Sequence, residues 1–69
     1  MAITLKAARI NAELTRPEVK RRLKDEYNID ISVNTLANYE RKEGTQPDIT
    51  TGKALAAIFG KSVDDIIFL

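Results

Sequence analysis

Five residues of the helix-capping type, Thr4, Thr15, Ser32, Asp48 and Ser62, each stand directly before a stretch that can wind into a helix. A capping side chain accepts a hydrogen bond from an otherwise unpaired amide in the first helical turn, so such residues mark where helices begin. At this spacing they divide 69 residues into five short helical segments. No isolated helix of such length is stable in water; each must bury an apolar face against the others. The pattern therefore predicts a small all-α domain spanning residues 1–69.

The first segment is expected to run from Leu5 to Asn11 or Glu13, with Leu5, Ala8 and Ala12 on one stripe. The second has the clearest start. Thr15 and Glu18 form a capping box, and Pro17 falls in the first turn, where its missing amide costs nothing. Val19, Leu23 and Tyr27 recur every four residues, so this helix can reach Tyr27. Asn28 to Ile31 breaks the pattern, and a third helix is expected from Val33 to Arg41 or Lys42. Glu43 to Pro47 reads as a loop. A fourth helix should follow from Ile49 to Phe59, stopped by Gly60, and a fifth after Ser62, with Asp64 and Asp65 at its positive end.

Composition narrows the function classes. The chain holds no cysteine and no histidine, which removes disulfides, thiolate metal sites and the usual acid–base residue. It shows no glycine-rich phosphate loop or metal-ligand spacing, so catalytic and metal-binding residues are expected to be none, and no cofactor is implied. Asp64 and Asp65 are accounted for as first-turn acids of a helix. The longest uncharged stretch near the C-terminus, Ala54 to Gly60, is far below the ~20 apolar residues of a membrane span. The N-terminus lacks the apolar block of a signal peptide, and a cytoplasmic location is the default expectation. The net charge of +1 hides a gradient: residues 1–42 carry nine Lys and Arg against six Asp and Glu, while residues 43–69 carry two against four. Lys20, Arg21, Arg22 and Lys24, then Arg41 and Lys42, concentrate the positive charge. Such a run suits a phosphate-facing surface, although charged helix faces more often simply meet solvent.

The third helix carries the most functional information. With Leu36 at the centre of its buried face, Ser32, Val33, Tyr39 and Glu40 fall within about 60° of that centre. Asn34, Asn38 and Arg41 fall within about 40° of the opposite pole by the same geometry. Two amides and a guanidinium on an outward face suit base edges, since Asn pairs with adenine and Arg with guanine through two bonds each. Polar residues also face water on any surface helix, so this face alone leaves both readings open.

The order of elements adds weight. Leu14-Thr15 enters helix 2, Ser32 to Leu36 opens helix 3, and Tyr39-Glu40 stands near its end. Pro47-Asp48-Ile49 then precedes Leu55-Ala56, Ile58-Phe59-Gly60 and Ser62-Val63-Asp64-Asp65. This arrangement resembles the phage repressor/Cro-type (XRE-like) helix-turn-helix family over nearly the whole chain. The resemblance implies a compact five-helix domain acting as a sequence-specific, repressor-like transcriptional regulator. Its third helix, about residues 33–42, would enter the major groove of double-stranded DNA. By position, Val33, Asn34 and Asn38 would contact bases. Arg16, Thr35, Arg41, Lys42, Thr45 and Gln46 would face phosphates. Val33 lies near the core edge of the wheel, so it either projects to a thymine methyl or packs. Arg9 and Glu40 would form a structural ion pair between helices 1 and 3.

The chain departs from the family in three places. Lys20 occupies a position normally held by a small residue, and Leu23 to Ser32 is about six residues longer than the common spacing. Either helix 2 or its connection to helix 3 must therefore be elongated. Gly44 is displaced in a loop one residue longer than usual. Gly52 stands where a large apolar residue is common, which implies a close helix–helix approach. The apolar end Ile66, Ile67, Phe68 and Leu69 either forms a homodimer surface on DNA or completes the core. The resemblance also admits a second role, a protein-binding antirepressor or antitoxin module. An enzyme lacks the necessary residues.

Overall fold

The computed structural model describes residues 2–41 and 44–67. Four α-helices make up its body: α1 (Leu5–Asn11), α2 (Arg16–Tyr27), α3 (Val33–Glu40) and α4 (Ile49–Ile58). Three of the helix starts are closed by the side chains that mark them in the sequence. Thr4 accepts from the Ala7 amide and Ser32 from the Thr35 amide, each at 3.1 Å. Thr15 and Glu18 bond each other's backbone reciprocally, at 3.0 and 3.3 Å. Asp48 occupies the N-cap of α4 without closing a capping bond. The nearby Thr51 hydroxyl, with the Thr50 and Thr51 amides, still holds its carboxyl below the ordinary aspartate range.

The expected fifth helix is not formed. Val63–Asp65 makes one 3-10 turn, after which β2 (Ile66–Ile67) runs parallel to β1 (Ile3–Thr4). Ser62 spends its hydroxyl on the Asp65 carboxylate at 3.1 Å and leaves the turn uncapped by its side chain. Two successive β-branched isoleucines favour an extended backbone, and the chain start supplies backbone groups that need partners. A two-residue ladder then replaces a helix too short to stand without them. The domain is thus four-helical with one strand pair among its described residues.

The core forms where α2 and α4 pack together under α3. Val19, Leu23 and Leu55 are fully buried at its centre, with Leu5, Ala8, Leu36, Ala54, Ala56, Ile58 and Phe59 around them. Ile66 is buried in the same cluster, so it closes the core and is not available as a dimer contact. Phe68 and Leu69 lie outside the described residues.

Between α2 and α3 the structure resolves the elongation in both available ways. Helix α2 runs a full 12 residues, and residues 28–32 then form a connector. Asn28 ends the helix in the left-handed conformation at φ 55°, its amide bonding the Lys24 carbonyl while the Ile29 amide bonds that of Leu23. Asn tolerates this backbone better than other non-glycine residues. Ile29 and Ile31 then pack onto the core, anchoring the connector at both ends. Gly60 ends α4 with φ +70°, as its place in the sequence predicts.

Candidate nucleic-acid interface

The outward face of α3 is built by what its inner face must bury. Leu36 is 2% exposed against the core, and Tyr39 packs beside it on the same side. Burial, reinforced by the Asp48 charge, raises the Tyr39 hydroxyl above its ordinary range. That seating leaves Asn34 and Asn38 exposed on the opposite side. Arg41, at the C-cap, is exposed as well, and its Nη1 reaches the Asn38 Oδ1 at 3.5 Å. The structure therefore brings Asn34, Asn38 and Arg41 onto one open surface. Val33 and Thr35 are half-buried at the helix start, where the Thr35 and Ser32 hydroxyls lie 2.9 Å apart.

Beyond α3, Lys42 falls outside the described residues, while Thr45 and Gln46 are exposed. Gly44 explains why the displaced glycine is needed. A Cβ there would overlap the Asn38 carbonyl oxygen, so the chain passes directly over the end of α3. The Gly44 amide donates to the Arg41 carbonyl at 3.1 Å and holds the loop against that helix end. Gly52 is buried and lines a groove with Pro47, Ile49 and Val63.

The ionic contacts sort the basic residues. Arg9 and Glu40 meet: Nε donates to Oε2 at 2.7 Å, Nη2 to Oε1 at 3.3 Å, and Nη1 to the Leu14 carbonyl at 2.9 Å. Arg16 also reaches Glu40, a contact the helix wheel does not reveal because it joins residues on different helices. In the run on α2, Lys20 pairs with Asp30 at 3.2 Å and Arg22 with Glu26 at 2.7 Å. Lys24 reaches the Asn28 side chain at 3.4 Å. Much of that run is thereby matched locally, at exposed positions where such pairs contribute little. The positive charge against α3 comes, among the described residues, from Arg9, Arg16 and Arg41 instead, of which Arg16 and Arg41 are the more exposed. Among the described residues no buried side-chain polar atom lacks a hydrogen-bond partner, and no helix is long and apolar enough to cross a membrane.

Two helices that meet across the connector, the second presenting an amide-rich outer face, have the layout of a helix-turn-helix domain. A helix-turn-helix family model of the phage repressor/Cro (XRE) type matches residues 5–66, and the chain belongs to that family. The matched region takes in all four α-helices and the 3-10 turn. Neither the comparison with curated proteins nor that with solved structures finds a match.

Proposed function

We propose that this protein is a sequence-specific, repressor-like transcriptional regulator that places α3 in the major groove and performs no catalysis. The observation that carries this reading is the exposed Asn34, Asn38 and Arg41 surface, set opposite the buried Leu36. Asn34 and Asn38 are assigned to base edges, with Val33 at the margin of the contact. Arg16, Thr35, Arg41, Lys42, Thr45 and Gln46 are assigned to phosphates on either side, and Arg9 with Glu40 to the frame beneath. Sequence is then read by a few amides while the cations supply salt-dependent affinity.

One recognition helix touches few base pairs, so two copies on adjacent half-sites would supply the discrimination a regulator needs. With Ile66 in the core, the chain end beyond it and the start of α4 remain for that contact. Ile49, 76% exposed, shares a groove with Val63. The alternative, a protein-binding antirepressor or antitoxin, uses the same fold.

Selection of bound sites from a random duplex pool, followed by binding to the enriched site across a salt series, tests the proposal. A steep fall in affinity with salt, with the enriched site surviving competitor DNA, supports it. Weak binding without sequence preference would favour the protein-binding role. A two-fold symmetric enriched site occupied by two molecules supports pairing, and an asymmetric site occupied by one excludes it.

A further inference from the structure

Two guanidinium groups converge on one carboxylate. The Glu40 side chain is only 4% exposed, and a buried carboxylate needs a partner. Arg9 alone satisfies it, bonding both oxygens while its third nitrogen is tied to the Leu14 carbonyl. Arg16 is therefore a surplus charge, and the cluster is net positive. It approaches only Oε1, with Nε at 3.2 Å and Nη2 at 3.1 Å. Its side chain remains 35% exposed, against 13% for Arg9. Its Nε hydrogen bond and its Nη2 ion-pair contact both fall on that one oxygen, which holds this edge of the guanidinium against Glu40. A flexible ammonium could not be fixed in this manner.

Arg16 opens α2 and Glu40 closes α3, the helix whose outer face carries Asn34 and Asn38. We infer that Glu40 is a positioning residue for DNA binding: it holds Arg16 oriented so that the guanidinium meets a backbone phosphate in one register. An unrestrained arginine must lose rotamer freedom when it binds, and one already fixed loses less. The same register sets where the two asparagines fall along the bases. This inference rests on the DNA-binding reading above and gives a binding role to an acid that no phosphate would attract.

The test compares Arg16→Lys, Arg16→Gln and Glu40→Gln on a duplex enriched from a random pool and an unrelated duplex of equal length. Affinity is measured by fluorescence anisotropy across a salt series. Arg16→Lys keeps the charge and should keep the salt slope, yet lose roughly tenfold on the enriched duplex and little on the unrelated one. Arg16→Gln should reduce the slope by about one on both. Glu40→Gln removes a negative charge, which by charge alone would tighten every complex. The positioning role requires instead that it tighten the unrelated duplex and weaken the enriched one. It also requires that Arg16→Lys add no further loss when combined with Glu40→Gln. Wild-type affinity of Arg16→Lys for the enriched duplex, or losses that simply add, would overturn the inference. Denaturant midpoints establish which variants are folded. Arg16→Lys leaves the Arg9–Glu40 pair intact and decides the matter alone if Glu40→Gln does not fold. Should Asn34→Ala and Asn38→Ala fail to discriminate the duplexes while Arg16→Lys does, the base-reading assignment falls and this inference stands.

Discussion

Helix α3 is held by two seams of opposite chemistry. Beneath its middle lies an apolar seam, Leu36 against the cluster centred on Val19, Leu23 and Leu55. At its end lies a charged seam, Glu40 clasped by Arg9 and Arg16. Apolar burial is strong and non-directional: it fixes that α3 is seated, and tolerates small rotations. Hydrogen-bonded ion pairs contribute less net stability because desolvation offsets much of their attraction, but they are directional. The apolar seam should therefore dominate stability, and the charged one should dominate the orientation of the face proposed to meet DNA.

The largest effect is expected at the apolar seam. Leu55→Ala should cost about 3 kcal/mol in denaturant unfolding, a large part of what a domain of this size possesses. The folded fraction should keep the wild-type preference for its enriched DNA site. Arg9→Ala ranks next. Removing one member of a buried pair typically costs 3–5 kcal/mol, but Arg16 remains on Glu40, so a loss of about 2 kcal/mol is expected. Arg16→Ala, at a more exposed position, should cost under ~1 kcal/mol of stability. Equal losses from the two arginines would break the proposed division between lock and surplus charge.

Glu13 sharpens the comparison from outside both seams. It is exposed and adopts φ 60°, a left-handed backbone that costs a side-chain-bearing residue roughly 1–2 kcal/mol. Glu13→Gly should raise the unfolding midpoint and leave DNA binding unchanged, which a calorimetric scan and an anisotropy titration would check. The smallest effect belongs to the α2 cap. The Thr15 amide and hydroxyl hold the Glu18 carboxyl below its ordinary range. A lowered folded-state pKa adds stability above the unfolded glutamate value, and that stability is lost as pH falls through the folded one. Glu18→Gln should remove this acid-side slope, as measured by unfolding midpoints at neutral and acidic pH.

The sequence made legible what is local. Thr4, Thr15 and Ser32 cap because the bonds they accept come from amides three residues on. Asn34 and Asn38 reach the surface because Leu36 fixes the rotation of α3. The misread element shows the limit of the same reasoning. Ser62-Val63-Asp64-Asp65 begins a turn whether or not a helix follows, and the outcome is set by Ile66 pairing with Ile3 at the far end of the chain. Arg16 on Glu40 was likewise hidden, since it requires knowing how α2 and α3 cross. Gly44 could be noted as displaced, but its necessity lies in a carbonyl that only the folded end of α3 places beneath it.

The central claim is that the face opposite Leu36 reads bases. Asn34→Ala and Asn38→Ala should each weaken binding to the enriched duplex by about 1–3 kcal/mol, and weaken binding to an unrelated duplex far less, with the salt slope unchanged. Equal losses on both duplexes, or no loss on either, would contradict it.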